Sequence, residues 1–452
     1  MSSIGQAYER TKEKILGAAL NPVQKLLPGR RIEAYCHETK YTWRERELGP
    51  VVTLLACVWK HLHPELVSAR VTEDYLCSLS SAKDRQVLGE RDGSGFCKAR
   101  LRLPVDVFRW AATQVGQQAS RTQAQLCHGL PVYLVDGTTL RTPNTLELET
   151  HFGRSRNAAR KSRSPLVRLV LWVCASTGAV LQLASGAYAT SEQALFLQLL
   201  KTLTAPALLV ADRGYFSFLF FALVSQHRAE LLTRIPSRCF TKRPLRKLGY
   251  RDLLYEWKRP PLAQSRFPEL LDACPQLLLV RVIEREIVRK GYRTWTLRIA
   301  TTLTDPQRYP AEELADLYLR RWRVETTFRT LKTYSHLAHL TGKTPATVRK
   351  EIYSAVLAHN CVAALMAESG EAPELLSPTR AREILMLYSG HMAFAATVLL
   401  PGFYREMLRM IATALQLPQE RGPEPRAIVQ RPSTFPVLMT SRDVWKHEYK
   451  TA

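Results

Sequence analysis

The chain has 452 residues, of which 46% are hydrophobic, so it is long enough for two or three folded domains and is not a disordered tail. Its 64 Lys and Arg residues exceed its 40 Asp and Glu residues by 24, which favours a polyanionic partner such as nucleic acid. We expect no signal peptide and no membrane span, and the nine scattered cysteines favour a reducing, cytoplasmic location.

The first 236 residues predict a helical region followed by an α/β region. Helical periodicity dominates residues 1–125, with amphipathic runs at 51–62 and 103–115. The elements predicted next are a strand at 131–137, a hairpin of strands at 166–175 and 179–188, a helix at 191–203, a strand at 206–215, a helix at 216–226 and a strand at 229–235. A mixed sheet with helices on its faces buries such elements, and Asp136 and Asp212 each follow an apolar strand.

Residues 237–303 have a different character and predict a small β-rich insertion. A basic, proline-interrupted stretch is followed by two alternating runs at 277–286 and 292–303. Helical patterns then return at 310–333 and 345–368, and further helices are expected to about residue 416. The stretch 418–436 is rich in proline and is expected to be loose.

The predicted helix at 310–333 carries a polar stripe beside its apolar face. Tyr318, Arg321, Glu325 and Lys332 are separated by three, four and seven residues, which places them on one side of a helix. One interpretation is a solvated face with an Arg321–Glu325 ion pair. The other is that Glu325 joins Asp136 and Asp212 at the sheet edge, where three carboxylates can hold two divalent cations for phosphoryl transfer.

These residues resemble the signature of the IS4-type DDE transposases. Y-x2-R-x3-E-x6-K is present as Tyr318, Arg321, Glu325 and Lys332. VDGTTL (135–140) and ADRGYFS (211–217) are similar to the two aspartate motifs of that family, and SGFCKARLRLP (94–104) is similar to a segment that precedes its catalytic domain. The motif-bearing stretch runs from about residue 94 to 368.

The resemblance implies a fold and an activity. The fold is an RNase H-like mixed sheet with helices on both faces, interrupted by a β-rich insertion and flanked by helical regions. The activity is a cut-and-paste DNA transposase that nicks transposon ends and joins their 3′-OH groups to target DNA. Asp136, Asp212 and Glu325 would bind two Mg²⁺ ions, with Mn²⁺ as a substitute, and Tyr318, Arg321 and Lys332 would grip the terminal phosphates.

The implied partners are double-stranded DNA, as terminal inverted repeats and as target, and a second copy of the chain in a synaptic dimer associated with the bacterial nucleoid. The expected division is a DNA-end-binding region at 1–125, the catalytic domain at 126–236 and 304–370, the insertion at 237–303, and a helical C-terminal region with a proline-rich tail at 371–452.

Several further residues have open interpretations. Two basic stretches, at 151–165 and 242–259, favour DNA contacts over solvated loops; their candidates are Arg154, Arg156, Arg160, Lys161, Arg163, Lys242 and Arg243. Trp295 is either a base-stacking residue or a core or cross-strand residue. Arg213 either orients an acid or reaches DNA. Glu192 is interpreted as a residue that favours the helix N-terminus rather than as a fourth metal ligand, and Trp110 and Trp172 as core.

Two rival functions share this sequence pattern. A DNA-binding relic would keep the fold without the reaction, although all three acids are present here. An RNase H-like endonuclease would cut DNA without joining it, and the Tyr-Arg-Lys stripe disfavours it. Assays of DNA-end joining distinguish these alternatives.

Overall fold

The structure is a computed structural model of the 452-residue chain. It describes residues 6, 21–43, 48–63, 93–122, 126–155, 164–203, 205–241, 243–288, 294–333, 337–416, 439–440 and 442–451. The predicted loose segment at 418–436 lies outside the described residues. None of the helices in the described part of the chain reaches the length and hydrophobicity of a membrane span.

Helices dominate the two ends of the described chain. They are α1 (Asn21–Leu26), α2 (Gly29–Glu38), α3 (Pro50–Leu62), α4 (Ser94–Arg102), α5 (Val105–Thr122), α6 (Leu146–Phe152), α7 (Glu192–Leu200), α8 (Phe218–Gln226), α9 (Pro268–Asp272), α10 (Ala311–Leu319), α11 (Arg323–Thr333), α12 (Pro345–Glu368), α13 (Pro378–Phe394), α14 (Leu400–Ala412) and α15 (Arg442–Thr451). The helices predicted at 51–62, 103–115, 191–203, 216–226 and 345–368 are confirmed.

The strands form one mixed sheet. They are β1 (Leu126–Cys127), β2 (Leu130–Arg141), β3 (Leu166–Cys174), β4 (Val180–Ala187), β5 (Leu208–Ala211), β6 (Glu230–Arg234), β7 (Arg246–Gly249), β8 (Asp252–Lys258), β9 (Leu277–Ile287) and β10 (Trp295–Thr301). Their order is β4-β3-β2-β5-β6-β10-β9-β8-β7, and β1 pairs with β2. The β2–β5 and β5–β6 pairs are parallel, whereas the neighbours in the β4-β3-β2 and β6-β10-β9-β8-β7 runs are antiparallel.

Helices cover both faces of this sheet. Successive strand residues point to opposite faces, and in β3 Leu171 belongs to one apolar cluster whereas Trp172 belongs to the other. The first cluster includes residues of α3, α5 and α12, and the second includes residues of α7 and α8. The expected α/β class is therefore confirmed. Trp172 is a core residue, and Trp110 packs against the first cluster, where it stacks on Tyr35 with 4.5 Å between ring centroids.

The structure corrects three local predictions. β2 does not end at Asp136 but continues to Arg141, because β3 pairs with it beyond that point. The helix predicted at 310–333 is two helices, α10 and α11, joined by a 3₁₀ turn at Arg320–Trp322. The basic stretch after residue 237 contains the β7–β8 hairpin, and the strands of the predicted insertion continue the main sheet through the β6–β10 pair.

Asn360 in α12 fixes the end of the edge strand β4. Its side chain accepts a hydrogen bond from Val180 N and donates to Val180 O and Ala112 O, all at 2.8 Å, and the residue is fully buried. Leucine at position 360 would remove these three hydrogen bonds, and the backbone N–H and C=O of Val180 would lose their Asn360 partner. We therefore expect Asn360→Leu to lower the free energy of unfolding by about 3–5 kcal/mol, measured by denaturant titration.

The matched control is Ser354→Ala on the same helix, where a buried hydroxyl donates to Lys350 O of its own helix at 2.7 Å. That helical carbonyl keeps its place in the helix, so we expect a loss of less than about 1.5 kcal/mol. An Asn360→Leu protein as stable as Ser354→Ala would contradict the assigned role of Asn360.

Candidate active site

Asp136 and Asp212 lie side by side at the point where β5 ends. The parallel register pairs Val135 of β2 with Ala211, the last residue of β5. Asp136 directly follows Val135, and Asp212 directly follows Ala211. Asp136 Oδ1 accepts a hydrogen bond from Gly137 N at 2.8 Å. Asp212 Oδ1 accepts one from Gly214 N at 2.7 Å and thereby caps a 3₁₀ turn. The edge predicted from the two motifs is present, although β2 extends past it.

Arg321 lies between two of the predicted acids. Its Nη1 is 3.2 Å from Asp136 Oδ2, and its Nη2 is 3.1 Å from Glu325 Oε1. The Glu325 side chain is 59% exposed, whereas that of Asp136 is 20% exposed. The Arg321–Glu325 ion pair of the first interpretation is therefore present, and the same arginine also contacts Asp136 at the strand edge.

The electrostatics of this edge centre on Asp136. Burial is the main effect that raises the pKa of Asp136 to about 6, and the nearby charges of Asp212 and Glu192 act in the same direction. The Gly137 hydrogen bond and the Arg321 charge oppose that rise. A group of like charges with one buried member disfavours ionisation unless cations are close by. A cation bound at this edge would therefore stabilise the ionised carboxylates.

Tyr318 and Lys332 complete the stripe. Tyr318 is 7% exposed near the end of α10, and burial raises its pKa, an effect that Arg321 opposes. Lys332 Nζ donates to Thr138 Oγ1 of β2 at 2.6 Å, and burial lowers the pKa of this amine. Arg321 and Lys332 thus contact Asp136 and Thr138, two residues apart on the same strand. The helix pair α10–α11 brings all four residues of the stripe to the aspartate edge.

The other predicted DNA contacts are dispersed. Arg213 is exposed directly after Asp212, and Arg243 is exposed ahead of β7. Arg154 donates to Glu149 Oε2 at 2.7 Å and to Asn144 Oδ1 at 2.6 Å. Trp295 begins β10, is 39% exposed and lies under the Arg234 guanidinium at 5.2 Å, so it is not a core residue. Five candidates lie outside the described residues: Arg156, Arg160, Lys161, Arg163 and Lys242.

Sequence analysis did not consider Gly137, which lies against Glu192. Glu192 opens α7 and is half-buried. A Cβ atom at Gly137 would lie 2.4 Å from Glu192 Cδ, so the absence of a side chain at 137 lets this carboxylate pack beside Asp136. The available signal was the glycine that follows Asp136 within a strand, since such a glycine marks a close approach.

The side chains of Asp136, Asp212, Glu325 and Arg321 decide whether this edge can bind a cation. Among the described residues, no set of three or more His, Cys, Asp or Glu side chains is arranged as a metal-binding cluster. Arg321 occupies the space between Asp136 and Glu325. The charge of Asp212 disfavours ionisation of Asp136. Carboxylate oxygens are the ligands that hard divalent cations take.

Comparison with known proteins identifies the family. The sequence matches the family model of the transposase DDE domain over residues 128–361, more than half of the chain. The chain belongs to the DDE transposase family. Members of this family are metal-dependent enzymes that cut and join DNA, and the matched region contains Asp136, Asp212 and Glu325.

The similar proteins include two transposases of Escherichia coli strain K12. The transposase InsG of insertion sequence element IS4 is 28% identical over 359 residues, which cover 76% of this chain and 78% of InsG. The putative transposase InsZ is 26% identical over 127 residues, which cover 27% of this chain and 42% of InsZ. The prediction of an IS4-type DNA transposase is therefore confirmed.

Among solved structures, a piggyBac transposase synaptic complex with hairpin DNA is similar at a TM-score of 0.39 and 12% identity, covering 88% of this chain and 83% of that chain.

Proposed function

We propose that this DDE transposase moves its element by a cut-and-paste reaction at an RNase H-like catalytic sheet. The strand order β4-β3-β2-β5-β6, with an antiparallel half joined to a parallel half, supports the RNase H-like assignment. On this proposal residues 126–236 and 304–370 form the catalytic domain, 237–303 an insertion, 1–125 the end-binding region and 371–452 a C-terminal region.

The observation that carries the proposal is that Asp136 lies beside Asp212 and is joined to Glu325 by one arginine. Asp136 and Asp212 are neighbours by strand register, and Arg321 joins Asp136 to Glu325. We propose that the three acids hold Mg²⁺, or Mn²⁺ in its place, as two ions. Such ions, when bound, stabilise the attacking and leaving oxygens of an in-line displacement at phosphorus.

Arg321 has two states in this proposal. In the chain alone it neutralises Asp136 and Glu325, and the charges of Tyr318, Asp136 and Glu325 outweigh burial and raise its pKa. When DNA binds, its planar guanidinium turns from the carboxylates to a terminal phosphate, for which it offers paired donors. Asp136 and Glu325 then lose their ion pairs with Arg321 and become available to cations. Binding of the DNA end therefore also activates the site.

The remaining residues of the stripe bind the DNA terminus. Lys332 is held over β2 by Thr138, and Tyr318 is buried beside Arg321 with its phenol close to that charge. We propose that these three side chains grip the terminal phosphates of the non-transferred strand. Arg213, Arg154 and Arg243 are proposed backbone contacts, together with Arg156, Arg160, Lys161, Arg163 and Lys242, and Trp295 is a proposed stacking surface for a displaced base.

The proposed partners are the terminal inverted repeats, the target duplex and a second copy of the chain in a synaptic dimer. The excess of 24 positive charges supports contact with two DNA segments. The relatives from Escherichia coli favour a bacterial enzyme that works on chromosomal DNA in the cytoplasm.

The experiment that tests this function follows nicking and joining of a labelled fragment carrying the element's own end, in Mg²⁺, with a target plasmid. We expect the wild type to cut and join, and Glu325→Gln to bind the fragment but to do neither. Glu312→Gln, at an exposed acid in the first turn of α10, is the matched control and should keep both activities. Cutting without joining would favour the endonuclease, and binding without cutting would favour the relic.

Lys332 allows a separate prediction about phosphate binding. We expect Lys332→Met to weaken binding to the end fragment and to reduce the slope of log affinity against log salt by about 1, because one counterion-releasing contact is lost. Fluorescence anisotropy over a salt series measures this slope. Thr138→Val removes the hydrogen bond to Lys332 but keeps its charge, so its slope should match the wild type. An unchanged slope in Lys332→Met would show that Lys332 does not contact a phosphate.

A further inference from the structure

Tyr215 carries a buried hydroxyl without a partner. The residue is 1% exposed, and its oxygen has no hydrogen-bond partner among the described residues. Its ring packs on Phe196 and Phe220, with centroid separations of 5.3 and 6.3 Å. Phenylalanine would fill the same space without leaving a polar atom unpaired. A buried polar group of this kind in a folded protein calls for an explanation.

The hydroxyl of Tyr215 lies beneath the acidic edge. Burial raises its pKa well above the ordinary value, and the charges of Glu192, Asp136 and Asp212 raise it further, in that order of effect. Tyr215 ends the 3₁₀ turn that Asp212 caps, so Asp212 and Tyr215 are rigidly connected. Tyr215 also packs on Phe196, one helical turn after Glu192 on α7, so the turn after β5 lies against the start of α7.

Glu192 lies against β2 directly beside Asp136. Its carboxylate packs against the backbone of Gly137. The helix that carries it is tied to the Asp212 turn, because the Gln193 side chain donates to Gly214 O at 3.1 Å. Burial raises the pKa of Glu192, the charge of Asp212 adds to that effect and Arg168 opposes it. Glu192 is thus held close to the acidic edge. A favourable interaction with the helix N-terminus alone would not require that position.

We propose that Tyr215 and Glu192 are a supporting pair of the catalytic acids: the Tyr215 hydroxyl donates to one oxygen of Glu192, and the other oxygen faces the divalent cations as a fourth carboxylate. This inference rests on the proposed function of the three acids. The proposal requires that, as cations bind, a staggered rotation of the Glu192 side chain brings its carboxylate to the Tyr215 hydroxyl. Tyr215 acts as a positioning residue, since outer hydrogen bonds of this kind orient metal ligands.

The test measures Mn²⁺ affinity by calorimetry on the full chain, together with the melting temperature in metal-free buffer. We expect Tyr215→Phe to lower Mn²⁺ affinity about tenfold, in the range found when such outer partners are removed. Its metal-free melting temperature should stay equal or rise, because an unpaired buried hydroxyl is removed. A purely structural tyrosine would not lower cation affinity while keeping stability.

Two further variants sharpen the test. Glu192→Gln should lower Mn²⁺ affinity about tenfold or more, and the double variant should resemble Glu192→Gln alone, since the two residues act as one unit. Tyr133→Phe is the matched control: this half-buried tyrosine lies on β2, three residues before Asp136, and should leave Mn²⁺ affinity unchanged. Wild-type Mn²⁺ affinity in Tyr215→Phe or in Glu192→Gln would overturn the proposal.

Asp136→Asn separates this inference from the proposed function. If Asp136→Asn loses Mn²⁺ binding while Tyr215→Phe and Glu192→Gln bind as the wild type does, only the supporting pair is wrong. If Asp136→Asn itself binds Mn²⁺ as the wild type does, the assignment of the catalytic acids fails, and the supporting pair fails with it.

Discussion

Replacement of Asp136 by asparagine is expected to reduce Mg²⁺-dependent nicking of end DNA by roughly a thousandfold or more. The amide keeps the shape of the side chain but loses the charge that holds a divalent cation. Metal-assisted stabilisation at phosphorus is worth several kcal/mol, and each 1.36 kcal/mol corresponds to about tenfold in rate. Single-turnover nicking of a labelled fragment measures the loss, and DNA binding should persist.

The same variant is expected to be no less stable than the wild type at neutral pH. Burial raises the pKa of Asp136 to about 6, from an ordinary value of 3.8. The folded state therefore binds the proton more tightly than the unfolded chain, and this carboxyl lowers stability as pH rises from about 4 to 6. Its side chain is 20% exposed, so we expect Asp136→Asn to gain about 1–3 kcal/mol over the wild type between pH 4 and pH 7.

Asp106→Asn is the control for both measurements. Asp106 pairs with Arg109 on α5, and its side chain is 57% exposed, so neither nicking nor the pH dependence of unfolding should change. An Asp136→Asn enzyme that nicks at a rate within tenfold of the wild type would contradict the catalytic assignment.

The second large effect is expected at Arg281. This side chain is fully buried and binds Asp252 through two hydrogen bonds, Nε to Oδ1 at 2.8 Å and Nη2 to Oδ2 at 2.7 Å. Its Nη1 donates to the carbonyl of Tyr309 at 2.7 Å, just before α10. We expect Arg281→Met to lower the free energy of unfolding by about 3–5 kcal/mol, because the Asp252 charge stays buried without a partner.

The double variant Arg281→Met/Asp252→Asn tests the cause of that loss. With no charge left unpaired, it should recover a large part of the lost stability in denaturant titration. Arg251→Met is the exposed control, since Arg251 and Glu286 pair with side chains that are 36% and 53% exposed, and it should cost less than about 1 kcal/mol. Equal losses in Arg281→Met and Arg251→Met would contradict the importance of the buried pair.

Local sequence patterns predicted the aspartate edge because the necessary information is local. β5 is a four-residue apolar strand, and Asp212 closes it within the string ADRGY. The end of β2 was placed wrongly because the extension from Gly137 to Arg141 depends on pairing with β3, which no local pattern reveals. The β6–β10 pair that joins the predicted insertion to the sheet is likewise a long-range contact.

The sequence predicted which residues form the polar stripe, but not which side chains they contact. Helical spacing identified Tyr318, Arg321, Glu325 and Lys332, yet the 3₁₀ turn that interrupts the helix and the bridge from Arg321 to Asp136 required the structure. Glu192 is the opposite case. Its position at the start of a helix gave a local reason for an acid there. Its packing on Gly137 depends on how α7 lies on the sheet, which the local sequence does not reveal.

The central claim is that Asp136, Asp212 and Glu325 hold divalent cations once Arg321 has turned to DNA. Anomalous X-ray scattering from crystals of the full chain with its end DNA and Mn²⁺ tests this claim most directly. We expect Mn²⁺ peaks about 2.1 Å from oxygens of Asp136 and Asp212, with Arg321 on a phosphate and Glu325 facing the cations. Mn²⁺ bound elsewhere, with Arg321 still paired to Asp136 and Glu325, would contradict it.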